Sequence, residues 1–274
     1  MKTRNIVGVE CLRVILCIGI IMFHTSIPGS ELFWIGIEGF WVLSAFFLVK
    51  SIYEKGNEPV KLVYKRIKRL YFPYSLLIIW ATIWAVNQGK GTIRIVEDAV
   101  SHFIFMQNFA WMKEGYVTAL CHMTMHTWTM SIEICLYIFM IIVLKVIKKD
   151  KWKKLFFSII VVVALCRMGL LIAGMENVIT FFPLMHLDAY AIGSLSAVVY
   201  IEDSKKQSQY GAWFRRMGIL AMLGCLLITM LMKRCGLYTA YTIYASSEGY
   251  LSNVIMVQIY LYAAMMWGAY CYGF

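Results

Sequence analysis

Apolar runs long enough to cross a bilayer recur along this chain, and no other feature constrains its fold as much. The first, Cys11 to Ile27, reads CLRVILCIGIIMFHTSI; others lie at about 32–52, 71–88, 126–145, 155–175, 179–200, 217–232 and 250–272. A helix needs about 20 apolar residues to span the hydrocarbon, and it satisfies every backbone N–H and C=O within its own segment. The pattern therefore predicts an all-α polytopic transmembrane bundle of about eight spanning helices. Composition agrees: 61% of the 274 residues are hydrophobic and only 15% are charged, well below the usual quarter of a globular domain.

The net charge of +11 by itself suggests a nucleic-acid partner. The basic residues, however, gather in alternate connections. Lys2 and Arg4 precede the first run, and Lys50, Lys55, Lys61, Lys65, Arg66, Lys68 and Arg69 fill the loop between the second and third. Lys145, Lys148, Lys149, Lys151, Lys153 and Lys154 follow the fourth, and Lys205, Lys206, Arg215 and Arg216 follow the sixth. This alternation is the positive-inside pattern. It predicts two cytoplasmic termini, a multi-pass protein of the inner (cytoplasmic) cell membrane, the lipid bilayer as partner and no nucleic acid.

The N-terminal run has no small-residue cleavage site after it and reads as a permanent helix rather than a signal peptide. No internal repeat, low-complexity tract or appended soluble domain interrupts residues 1–274, which read as one membrane domain. The longest connection, 87–125, is an outer loop. An apolar stripe over Ile95 to Phe109 predicts an interfacial or re-entrant helix there, sheltering the outer mouth of a cavity. Cys121-His122-xxx-His126 resembles metal-ligand spacing but lacks a fourth ligand, so no metal is assigned.

Ionisable groups inside spanning runs need a partner or water, which makes them functional candidates. Here they are Arg13, His24, Glu38, Glu133, Arg167, His186 and Asp188. Arg13 and His24 are eleven residues apart, so on a helix they share one face, about 16 Å apart along the axis. The bland alternatives are an arginine snorkelling to the inner surface and an interfacial histidine. Glu133 lies on one face with Thr129 and Tyr137, and at its depth it must be protonated or paired with a cation such as Arg13 or Arg167. Asp188 is a candidate partner of Arg167 across neighbouring helices. The tract Lys65-Arg66-Ile67-Lys68-Arg69-Leu70-Tyr71-Phe72-Pro73 suits either anchoring to anionic lipid or a grip on phosphates.

Taken together, these stretches resemble the acyltransferase family 3 integral-membrane proteins. The family's Arg and His, ten residues between them, match Arg13 and His24. Its Gly-Val-x-x-Phe-Phe-x-x-Ser-Gly segment is matched by Gly36-Ile37-Glu38-Gly39-Phe40-Trp41-Val42-Leu43-Ser44-Ala45, and its Arg-Arg-x-x-Arg-x-x-Pro-like tract by Lys65 to Pro73. Trp-Ser-Leu-Ser-x-Glu appears as Trp128-Thr129-Met130-Ser131-Ile132-Glu133, followed by Tyr137. Arg167 and the stretch from Asp188 to Gly193 are also family features. The likeness is strongest over residues 1–200.

It departs at Ala45, where glycine is usual, and at Ile134, where a second acid is common. It also departs in helix number, eight against about ten, and in lacking a Ser-Tyr-x-x-Tyr-x-x-His-like stretch after Ile219. A short or C-terminally truncated member is the corresponding expectation.

The resemblance implies a membrane-bound O-acyltransferase. It would move an acyl group, commonly acetyl, from cytosolic acetyl-CoA or another acyl-CoA to a hydroxyl of a cell-surface glycan or lipid-linked sugar, with no tightly bound cofactor. His24 would be general base or acyl-carrying nucleophile, with Glu133 orienting it or binding the acceptor. Arg13, Lys65, Arg66 and Arg69 would hold the phosphates of CoA. Glu38, Ser44, Trp128, Ser131, Tyr137, Arg167 and Asp188 would support the site. The competing functional classes are a catalytically inactive partner subunit and a transporter or flippase.

Overall fold

The computed structural model describes residues 7–25, 27, 36–89, 91–114, 119–120 and 122–204. Among these residues it is helical throughout and contains no strand. The α-helices in chain order are α1 (Val7–His24), α2 (Gly36–Lys55), α3 (Pro59–Asn87), α4 (Thr92–Phe103), α5 (Gln107–Glu114), α6 (Trp128–Val146), α7 (Trp152–Ile172), α8 (Glu176–Phe181) and α9 (Leu187–Ser204). Four described segments are long and apolar enough to cross a membrane: Gly36–Lys55, Pro59–Asn87, Thr124–Val146 and Pro183–Glu202. Arg13–His24 is a shorter apolar segment. The runs expected at 217–232 and 250–272 lie outside the described residues, as do Lys205, Lys206, Arg215 and Arg216.

Two expectations are corrected. The tract Lys61 to Arg69 is not a loop but the opening turns of α3. Gly56, at φ +63, ends α2 in the left-handed conformation that glycine adopts freely, and Pro59 starts α3 with its φ already set for a helix. The lysines, arginines and leucine that follow are strong helix formers. Pro73 sits inside α3 rather than closing a loop. At 29 residues the helix is about 44 Å long, more than the hydrocarbon requires.

The second correction concerns 179–200, which is broken in two. Phe182 is extended (φ −77, ψ 117), as the residue before a proline prefers, and a 3-10 turn over Pro183–His186 leads into α9.

Packing gives the helix directions. Ile20 and Leu16 of α1 meet Gly36 and Gly39 at the start of α2, and Arg13 meets Phe47 further along, so the two helices are antiparallel. Trp41 meets Trp128 and Ser44 meets Glu133, so α2 and α6 run in parallel. Gly193 against Val42, and Tyr200 against Phe46, make α9 parallel to α2. Arg167 with Asp188, and Lys153 with Glu202, make α7 antiparallel to α9. One end of the bundle therefore collects Lys50, Lys55 and Lys145 to Lys154. The other collects His24 and the first turns of α2, α6 and α9.

The core lies around α2, whose Trp41, Val42, Leu43, Ala45, Phe46, Leu48 and Val49 are all buried. Gly193 lets α9 approach it: a Cβ there would stand 2.1 Å from the Val42 carbonyl oxygen. The outward faces of α1, α3, α6 and α7 carry Ile18, Ile83, Trp84, Ile142, Val162 and Leu165, all exposed, as a lipid-facing coat would be.

The segment between α3 and α6 forms α4 and α5, separated at Phe105 with φ +59. It is fastened by side chains. The Asn108 amide donates to the carbonyls of Trp128 (3.0 Å) and Phe181 (3.2 Å), Gln107 donates to the Thr127 carbonyl (3.2 Å), and Ser131 donates to that of Phe105. The Asp98 carboxylate accepts from the backbone N–H groups of Ala119 (2.6 Å) and Leu120 (3.3 Å).

Candidate active site

Four polar side chains from three helices meet near the middle of α2 and α6. Tyr137 donates to Glu133 Oε1 at 2.8 Å, one helical turn away on α6. Ser44 of α2 donates to the same oxygen at 3.2 Å, and the Tyr137 and Ser44 hydroxyls are 3.3 Å apart. Arg66 of α3 closes the group. Its Nη1 donates to the Ser44 carbonyl (2.9 Å) and to the Tyr137 hydroxyl (3.2 Å), and its guanidinium lies 5.6 Å from the Tyr137 ring centre. The Tyr137 hydroxyl thus bridges guanidinium and carboxylate directly, while Ser44 takes Arg66 on its carbonyl and gives its hydroxyl to Glu133, in a half-buried setting where charge-assisted hydrogen bonds are strong.

The basic tract divides accordingly. Arg66 turns inward to this network, whereas Lys65 and Arg69 are exposed. On a helix, immediate neighbours do not face the same way, so a run of cations cannot all grip one phosphate.

Arg13 lies 4.5 Å over the Phe47 ring. Phe47 is one turn from Ser44, which sets Arg13 next to the network on its basic-end side. His24 is exposed at the other end of α1, edge-on to Phe23 at 5.3 Å. Its imidazole is within electrostatic reach of His126, in the 3-10 turn His122–Thr127 that leads into α6. Ser44 and Tyr137, rather than His24, hold the Glu133 carboxylate. Along the helix axes His24 stands about 12 Å beyond the network, since Arg13 is about 16 Å from it and Ser44 one turn closer. Cys121 lies outside the described residues.

A second polar group is buried between α7 and α9. Arg167 Nη2 donates to Asp188 Oδ1 at 3.0 Å and also to the Met185 carbonyl. Asp188 further accepts from the Ala189 N–H at 3.0 Å. Both ion-pair side chains are almost wholly enclosed. Glu38 of α2, also buried, is within electrostatic reach of both, and its Oε2 has no hydrogen-bond partner. Trp128 belongs to an aromatic box with Trp41 (6.0 Å between ring centres) and His186 (6.0 Å), and Trp41 and His186 are 4.9 Å apart. His186 Nε2 lies 3.0 Å from the Thr180 carbonyl oxygen.

Tyr190 packs against the first of these groups, and its own run does not single it out. It sits on α9 two residues after Asp188, fully buried, with its ring edge-on to that of Tyr137 at 5.8 Å. Its run, DAYAIGSLS, looks like ordinary small-residue helix packing. The cues were its place half a turn from an intramembrane acid and the family-like stretch from Asp188 to Gly193 that contains it.

The acyltransferase-domain family matches the chain over residues 6–274, well past residue 200. Two Staphylococcus aureus proteins, of strains COL and MSSA476 and each named "Putative O-acetyltransferase", are 26% identical to it over 152 residues. That stretch covers 52% of this chain and 25% of theirs. A Bacillus subtilis (strain 168) protein named "Putative peptidoglycan O-acetyltransferase" is 26% identical over 146 residues, 49% of this chain and 23% of its own. The matched part of this chain thus covers about a quarter of the length of these curated relatives. No solved structure matches the chain.

Proposed function

The chain belongs to the acyltransferase-domain family, and from that premise we propose that it is a membrane O-acyltransferase of the cytoplasmic membrane. It takes an acyl group, acetyl by the names its relatives carry, from a cytosolic acyl-CoA and passes it to a hydroxyl of a surface glycan or lipid-linked sugar. The observation that carries this reading is the Arg66–Tyr137–Glu133–Ser44 network. Three segments far apart in sequence, each bearing one of the family-like motifs, supply polar groups to a single place inside an apolar bundle. Such groups are costly in hydrocarbon and are kept where they serve a site.

In this reading the basic end faces the cytoplasm, as the positive-inside pattern favours. Arg13, with Lys65 and Arg69 at the surface, meets the phosphates of CoA, because guanidinium and ammonium groups neutralise phosphate oxygens. Arg66, drawn inward, orders the seam instead. The acceptor hydroxyl meets His24 at the other end. The imidazole takes the hydroxyl proton as that oxygen attacks the thioester carbon. The carbon–sulfur bond then breaks, and the CoA thiolate leaves with the electron pair. The imidazole passes this proton to solvent before the next turnover.

The test is acyl transfer by the full chain in membranes supplied with acetyl-CoA labelled in the acetyl group. Alkali-labile label is then recovered from surface glycan or lipid-linked sugar. Label is expected with the wild type and absent with His24→Ala at equal expression. Transfer retained by His24→Ala overturns the assignment of His24, and no transfer by the wild type overturns the function.

A further inference from the structure

The connection from α3 into α4 makes a hairpin of two equal arms. Asn87 ends α3 and Thr92 starts α4, and the arms meet again at Tyr74 and Phe105, equally far from that turn. There the Phe105 ring stacks on Tyr74 at 4.9 Å and stands edge-on to Tyr71 at 5.9 Å, and the Tyr74 hydroxyl donates to the His102 carbonyl at 2.9 Å. Each arm rises about 20 Å, so α4 runs antiparallel to the outer half of α3 over that length. Ile78, Ala81 and Ala85 of α3 and Ile95 and Ala99 of α4 are buried in one cluster between the arms.

The sides turned away from this cluster are apolar. Ile79 and Ile83 of α3 are exposed, and so are Ile93, Val96, Val100 and Ile104 of α4. The four on α4 are spaced by three and four residues and form one stripe. Its exposed charges, Arg94 and Glu97, lie in the half of α4 nearer Thr92, whereas from Val100 to Phe109 every exposed residue is apolar. A contiguous apolar face of this size is rarely left to water.

The reversal after α4 is built for a dry setting. Phe105, at φ +59, takes the left-handed place that glycine usually fills at a helix end. Its N–H donates to the His102 carbonyl (2.9 Å) and the Met106 N–H to the Ser101 carbonyl (2.7 Å), which closes the last turn of α4. The Phe105 carbonyl is taken by the Ser131 hydroxyl. In hydrocarbon every backbone polar group must find a partner in the protein, a demand that a turn in water does not meet. Ser131 lies inside the apolar span Thr124–Val146, which puts the tip of the hairpin below the outer surface. We propose that α4 is a re-entrant helix. It enters the outer leaflet at Thr92, descends obliquely along α3 and turns back at Phe105, with the stripe from Ile93 to Ile104 against the acyl chains of outer-leaflet phospholipid. Pairing with a spanning helix is what separates this arrangement from a helix lying flat at the interface. The tip meets α6 two residues before Glu133, so the lipid-embedded hairpin borders the polar network.

The experiment places one fluorescent amino acid in turn at Ile93, Val96, Val100 and Ile104 of the full chain in phospholipid vesicles, with the native cysteines kept. The quenchers are iodide in the water and phospholipids carrying a nitroxide high or low on the acyl chain. From Ile93 to Ile104 the helix rises about 16 Å. The ratio of deep to shallow quenching is therefore expected to increase in that order, at least about twofold from first to last, while iodide leaves Val100 and Ile104 untouched. Equal ratios at the four positions overturn the proposal in favour of a helix flat on the surface. Iodide quenching at Ile104 overturns it in favour of a hairpin standing in water. Quenching by neither agent shows the stripe covered by protein and overturns it too. The unaltered chain gives a second reading that no substitution can disturb. A carbene released from a lipid-soluble diazirine is expected to label α4 at Val100 and Ile104, and labelling of α3 and α7 without α4 overturns the proposal.

Discussion

Ser44 and Glu133, 89 positions apart in the chain, share a 3.2 Å hydrogen bond that fixes the middle of α2 against the middle of α6. The same carboxylate oxygen accepts from Tyr137, and Tyr137 in turn accepts from Arg66. The carboxylate is therefore a junction of three helices, and a change there acts on all of them together.

Replacing Glu133 by Gln keeps the shape and one carbonyl acceptor but removes the charge that offsets Arg66. We expect acyl transfer to fall at least about tenfold, with the protein still folded and inserted, because the network loses its charge-assisted bonds while packing is unchanged. Initial rates on purified protein, alongside a melting curve, would check this. Wild-type rates would remove Glu133 from the machinery.

Arg66 and its neighbours should separate kinetically. Arg66 donates to two oxygens at once, a geometry that a single ammonium on a flexible stem reproduces poorly. Arg66→Lys should lower kcat, whereas Lys65→Ala with Arg69→Ala should raise KM for acyl-CoA and leave kcat close to its starting value. Steady-state kinetics with varied acetyl-CoA decide. A kcat loss from the surface pair and none from Arg66→Lys would reverse the division.

The Arg167–Asp188 pair is enclosed on all sides, and truncating one partner leaves the other charge stranded. Arg167→Ala or Asp188→Ala should each destabilise by about 3–5 kcal/mol, and replacing both by well-packed apolar residues should recover most of that. A double-mutant cycle of unfolding in detergent measures it. Additive losses would show that the two side chains do not act as a pair.

At Gly193 an added methyl would stand 2.1 Å from the Val42 carbonyl oxygen, a backbone atom that cannot step aside. Gly193→Ala should drive α9 off α2 and lower both the yield of folded protein and its activity. Gly169 on α7 supplies the control, since a Cβ there meets nothing within 4 Å. Gly169→Ala should be neutral or slightly stabilising, as alanine is the better helix former. Equal tolerance at both positions would show that close α2–α9 contact is not needed.

Much about this molecule could be read without coordinates, because it depends on local properties of the chain. The length and apolarity of a run decide whether it is a helix suited to lipid, and those are visible residue by residue at 36–55 or 128–146. Spacing also set Glu133 and Tyr137 on one face, since a helix brings i and i+4 together whatever surrounds it.

Of the partners across helices, the Arg167–Asp188 pair was legible as two opposite charges in neighbouring spanning runs, and the others were not. Arg66 sits in one tract with Lys65, Lys68 and Arg69 and looks like one more surface anchor, and only the packing of α3 on α2 and α6 turns it inward. Tyr190 reads as an ordinary aromatic until α9 closes on α2 through Gly193 and sets its ring against Tyr137. Helical periodicity says which residues of one segment face the same way. It carries no information about which other segment they face, and that is decided by side-chain shape and by the need to satisfy buried polar groups.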